Sequence, residues 1–307
     1  MKCSIAQETR IGARRMNQDR FGHWRTGRSL LMVVADGLGG HVHGEIAAQL
    51  ATDYFGVSFQ RDARPTLADP AQFLMRTMSG AHAGILREAV RLGLPDAPRT
   101  VIVACVVQDG HAYWTHVGDC RLYLVRSGRI LQRTRDHTVV QQLFDEGRIR
   151  EEAMTTHPDR NRLLQCLGGY TAPRPDPVER ARLSRDDVLM LCSDGLWGAL
   201  TQRQMLHAVL TRGLEEAMTE LATLAEHRAG PQCDNVTVLA MRWGEDEAMS
   251  REAVPHAGPR TVPSYELPTD VQDFTATDPD FLRMSDEEID TAIAELKAAL
   301  RKTPSSQ

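Results

Sequence analysis

Short apolar runs, rich in β-branched residues and broken off by Asp and Gly, punctuate this chain and restrict it to folds built on sheets. Six such runs are SLLMVVADG, TVIVACVV, AYWTHVGD, RLYLVRSG, DVLMLCSDG and NVTVLAMRW. Each has the length and nearly continuous apolar character of a buried strand. The stretches GEIAAQLATDYFGVSF, PAQFLMRTMSGAHAGILREAVRLG and QRQMLHAVLTRGLEEAMTELATLAEHRAG repeat apolar residues at three and four, which predicts helices. In HAYWTHVGDCRLYLVRSGRILQRT the GD and SG pairs are turn signals, so antiparallel hairpins are expected there, with Asp119 in one turn. That pattern departs from the strand-helix alternation of a doubly wound sheet. An α+β sandwich of sheets flanked by helices fits it.

Composition narrows the function classes. The formal net charge is -5 and the basic residues are scattered, so there is no track for nucleic acid and no attraction to an anionic membrane. No segment approaches the roughly 18 apolar residues of a spanning helix, and the opening MKCSIAQETRIGARRMNQDR lacks a signal peptide's apolar stretch. A cytoplasmic protein is expected. Aromatics make up only 5% of residues, so the core must be mostly aliphatic. Cys3, Cys105, Cys120, Cys166, Cys192 and Cys233 include no CxxC pair and read as reduced core thiols.

Three segments stand apart from the strands and helices. Val139 to Gln165 is polar and helix-prone and reads as a mobile insertion over one edge of the core. Beyond residues 1–244 the composition shifts to prolines, acids and small residues, predicting a linker over 245–284. A helix is predicted over 285–302, where Ser285 and Glu288 make a capping-box pattern and Ile289, Ile293, Leu296 and Leu300 share one face. It either docks on its own domain or, on its tether, binds a partner.

The chemistry lies where strands end. Asp36-Gly37 follows LLMVVA, Asp194-Gly195 follows DVLMLC with Ser193 between, and Asp234-Asn235 precedes VTVLAMRW. Asp119 sits in Gly118-Asp119-Cys120-Arg121, and Asp19 closes Asn17-Gln18-Asp19. An aspartate at a strand end can project into a site, and the glycine after Asp36 lets a backbone carbonyl approach a cation. Hard oxygen donors without a matching Cys or His set favour magnesium or manganese over zinc, and two such ions suit phosphate chemistry. His41 and His43 read as supporting residues beside the glycine turn.

The motifs GxRxxNQD, DGxGGH, GDxR, SDGLW and DNVT, in that order from about Gly12 to Trp243, resemble those of the PPM-type, or type 2C, protein phosphatases. The resemblance implies a four-layer α-β-β-α sandwich over residues 1–244. It also implies a binuclear Mg2+ or Mn2+ centre that activates water to hydrolyse phosphoserine and phosphothreonine in proteins. Carried onto this chain, Asp36 would bridge both ions, Gly37 would lend its carbonyl, and Asp194 and Asp234 would complete one ion's shell. Asp119 would serve a weaker third ion, Asn235 would orient its neighbour, and Arg14, or Arg15 if the match slips by one, would clamp phosphate. Two departures stand out. Many relatives have glutamate at Gln18, so Gln18 or Asp19 would support one ion's water shell, and some have histidine at Leu38. The partners implied are phosphorylated proteins and a bacterial Ser/Thr kinase that the enzyme opposes. The rival classes are a binding module that has kept the sandwich without turnover, and a phosphodiesterase, for which a basic track is missing.

Overall fold

The computed structural model describes residues 1–38, 43–154 and 156–244. The predicted linker over 245–284, the predicted helix over 285–302 and His41 lie outside the described residues. One sheet has the order β1 (Cys3–Arg10), β10 (Val236–Trp243), β9 (Val188–Cys192), β6 (Arg121–Arg126), β7 (Arg129–Arg133). The other runs β2 (Asp19–Arg25), β3 (Ser29–Gly37), β4 (Thr100–Gln108), β5 (His111–Val117), β8 (Glu179–Arg182). Every neighbouring pair is antiparallel.

Strand periodicity sorts the apolar side chains into three cores and hence four layers. In β3, Leu31, Val33 and Ala35 face α1 (Gly44–Asp62) and α2 (Pro70–Arg91), packing with Phe55, Phe59 and Leu74. Their neighbours Leu30, Met32 and Val34 point the other way, into the space between the sheets, where they join Leu122, Leu189, Leu191 and Leu239. Beyond the second sheet, Val188, Met190 and Val238 pack under α6 (Gln202–Thr211) and α7 (Leu214–Ala229) through Met205, Met218 and Leu221. The expected α-β-β-α sandwich is therefore present. The cysteines are free thiols, all buried except the half-buried Cys166.

Two expectations need correction. Gly118-Asp119-Cys120 is not a hairpin turn: β5 and β6 belong to different sheets, and these residues carry the chain from one to the other. A Gly-Asp pair signals a reversal whichever strands it joins, so the sequence alone left the partner open. The stretch predicted as one helix after Thr201 is two, broken at Arg212-Gly213 where the backbone turns extended. The Val139–Gln165 segment holds α3 (Val139–Asp145) and α4 (Glu151–Met154) and links edge strands of the two sheets. A bridge from Thr138 to Leu163 closes it at its base, and just beyond it Leu167 bridges to Thr100.

Candidate metal centre

Antiparallel pairing brings the predicted acids to one end of the sandwich. Asp19, the first residue of β2, pairs directly with Asp36 near the end of β3. In the other sheet Asp194 follows β9 and opens α5 (Asp194–Trp197), while Asp234 lies two residues before β10. Asp119 lies on the step between the sheets. The carboxylates of Asp19, Asp194, Asp119 and Asp234 all repel that of Asp36, so all five acids gather in one basin.

The glycine after Asp36 answers a steric demand. A Cβ on Gly37 would stand 2.4 Å from the carbonyl carbon and oxygen of Gly44, because the first turn of α1 lies directly against the Asp-Gly turn. Asn235 organises the opposite wall. Its Nδ2 donates to the carbonyls of Ile11 (2.8 Å) and Met16 (3.0 Å), and its Oδ1 accepts the N–H of Gln18 (2.8 Å). The loop so gathered carries Arg14, which reaches Asp234 Oδ2 at 2.6 Å. The ion pair is made by Arg14 and not by Arg15. Beyond donating its own N–H to Asp234 Oδ1 (2.8 Å), Asn235 thus shapes the arginine loop as well as its neighbour.

Burial and crowding of like charges dominate the electrostatics. Burial raises Asp19 to about 6 against hydrogen bonds that lower it. Burial, followed by repulsion from Asp136, raises Asp119 to about 7. Asp36 and Asp194 are pushed well up, first by burial and then by the other aspartates. Asp19 Oδ1 and Asp194 Oδ1 are buried with no hydrogen-bond donor. Orphaned carboxylate oxygens facing a shared basin of like charge are what a divalent cation satisfies, so these residues fit hard oxygen-liganded ions.

Several contributors are residues to which the motifs assigned no role. Ser193, fully buried, donates to Asp19 Oδ2 at 2.7 Å. The buried Glu45 accepts from Gln18 Nε2 at 3.1 Å, so the amide at position 18 sits beside a carboxylate supplied by α1. His43 Nδ1 lies 3.5 Å from the same carboxylate, in keeping with a supporting role. Leu38 packs toward the inter-sheet core and offers no proton.

Fold and basin together define a class: an α-β-β-α sandwich with a basin of acids at one end suited to hard divalent cations. The protein phosphatase 2C family matches residues 6–227, and the chain belongs to that family. It is 33% identical over 212 residues to the serine/threonine protein phosphatase PstP of Mycobacterium tuberculosis, an alignment covering 68% of this chain and 39% of PstP. It is 29% identical over 251 residues to the protein phosphatase PhpP of Streptococcus pneumoniae, covering 80% of this chain and 99% of PhpP. A crystal structure of the PstP catalytic domain in complex with two manganese ions superposes with a TM-score of 0.66 at 28% identity, covering 78% of this chain and 97% of that one. Among the described residues no helix is long and apolar enough to cross a membrane.

Proposed function

We propose that this chain is a protein serine/threonine phosphatase that hydrolyses phosphoserine and phosphothreonine at a binuclear Mn2+ or Mg2+ centre. Asp36, the Gly37 carbonyl, Asp194 and Asp234 would hold the ions, with Asp19 supporting one of them and Asp119 serving a weaker third. Such ions supply charge neutralisation at the phosphoryl group and an activated water. The chain's own part begins with Arg14. Its guanidinium, half-exposed at the mouth and bonded to Asp234, can turn its planar fork to two phosphate oxygens when a phosphoester enters. Asn235 keeps that arginine's loop in place, and Ser193 keeps Asp19 aimed inward. With Leu38 beside the site, the leaving alkoxide takes its proton from water or from another group.

The observation that carries this reading is the pair of donorless buried oxygens on Asp19 and Asp194 inside a basin of five aspartates. The reading extends to a cytoplasmic enzyme that opposes a bacterial Ser/Thr kinase, with a 285–302 segment that either docks on its own domain or binds a partner. The test is phosphate release from a phosphothreonine peptide with Mn2+, Mg2+ or a chelator. Release should require the cation and vanish in Asp36→Asn. A folded, cation-loaded protein that releases nothing from any phosphopeptide would leave the binding module as the better account.

A further inference from the structure

Outside the aspartate basin, the tightest gathering of ligand-type atoms among the described residues is the trio His116, His137 and Asp176, within 4.8 Å of one another. Two features argue against a cation there. The imidazoles are stacked, with centroids 4.5 Å apart and planes at 25°, so their in-plane lone pairs run side by side instead of converging. In addition, His137 Nδ1 accepts the N–H of Gly118 (3.2 Å), which leaves the ring proton on Nε2, facing Asp176 Oδ1 at 3.2 Å. A ring bound to a cation through Nε2 would carry its proton on Nδ1, pointed at the Gly118 N–H.

What the trio does hold is the step between the sheets. The backbone N–H of His137 donates to the Gly118 carbonyl at 2.9 Å while its ring accepts the Gly118 N–H, so one residue engages both polar groups of that glycine. Gly118 has φ +100°, and a Cβ there would meet Val101 Cγ1 at 2.0 Å, so no side chain of its own can fix it. The next residue is Asp119, whose carbonyl accepts from Trp197 Nε1 at 2.9 Å. The Trp197 ring lies 3.5 Å from the Arg121 guanidinium, which makes a two-point ion pair with Asp136 at 2.8 and 2.6 Å. The His137 carbonyl accepts the Leu164 N–H at 2.7 Å, so the same residue reaches into the Val139–Gln165 segment.

We propose that His137 is a positioning residue for Asp119, holding the Gly118 peptide groups that aim the Asp119 carboxylate, with Asp176 fixing the tautomer that makes this possible. The proposal rests on the reading of Asp119 as a ligand of the weakest-bound ion. It is tested by amide hydrogen exchange at Gly118 in the chelated protein and by Mn2+ titration followed by electron paramagnetic resonance. The variants are His137→Phe, His137→Asn and Asp119→Asn.

Phenylalanine keeps the stack on His116 but cannot accept, so Gly118 should lose protection and the weakest Mn2+ site should loosen by about tenfold. Asparagine, whose Oδ1 can stand where Nδ1 was, should restore both. Unchanged exchange and affinity in His137→Phe, or no recovery in His137→Asn, overturns the proposal. Unchanged Mn2+ binding in Asp119→Asn overturns instead the reading on which it rests. Should His137→Phe fail to fold, Asp176→Ala, at a half-exposed position, carries the test: both readouts should move the same way, and unchanged values overturn the proposal.

Discussion

Ser193 has no exposed surface, and its hydroxyl is engaged twice, donating to Asp19 Oδ2 at 2.7 Å and accepting the Thr237 N–H at 3.0 Å. Ser193→Ala therefore removes a bond that aims a candidate ligand and also strands a buried backbone donor. A loss of about 1–3 kcal/mol in a urea titration is expected, together with a loss of about 10- to 100-fold in Mn2+ affinity. A stability change without an affinity change would make Ser193 a packing residue only. Asp36, Asp194 and Asp234 were legible because each adjoins an apolar strand and Gly or Asn. Ser193 was visible in the SDGLW motif but its role was not, because its acceptor lies 174 residues away and only the fold brings them together. Glu45 was hidden for the same reason: an acid in the first turn of a helix is ordinary until its burial is known.

At the scale of elements, the strands with neighbours on both sides, such as β3, β4, β9 and β10, were readable from sequence, and of the edges only β7 was, through its SG turn with β6. The overlooked strands β1, β2 and β8 are all sheet edges. An edge strand has less of its surface covered, so its apolar pattern thins; β8 buries none of its four residues. The contact of α1 with the Asp-Gly turn sets two effects against each other. Gly44→Ala should favour a helix by about 0.5–1 kcal/mol. However, the new Cβ would stand 2.8 Å from the Gly37 carbonyl carbon and 2.9 Å from Gln18 Nε2. Overpacking against backbone costs about 1–3 kcal/mol, so net destabilisation is expected in urea unfolding. A more stable variant would show that α1 can slide away from the turn.

For the whole molecule, gathering five acids leaves repulsion in the native state that the unfolded chain escapes. In the folded, cation-free protein Asp19 is raised to about 6 and Asp119 to about 7, against an ordinary 3.8. At low pH both states hold these protons. As pH rises through this interval the unfolded chain releases them first, so the native state binds more protons and its stability falls with rising pH. With chelator present, the urea midpoint should therefore decrease from about pH 5 to about pH 8. Mn2+ should restore it, with the larger gain at the higher pH because ligands must be deprotonated to bind. A flat profile with chelator would mean that the aspartates do not crowd as described.

The pairing of β1 with β10, from Cys3 opposite Trp243 to Arg10 opposite Val236, also governs when the site comes into being. Arg14 and Asp234, in contact across the mouth, are 220 residues apart in the chain. A ribosome that has finished β3 has supplied Asp19 and Asp36, yet the acids of the second sheet are still unmade. A chain still short of Asp234 therefore lacks one of the five acids and the partner of Arg14 across the mouth. Among the described strands β10 comes last, two residues after Asp234, and its pairing with β1 joins the first and last strands of the described chain beside the basin.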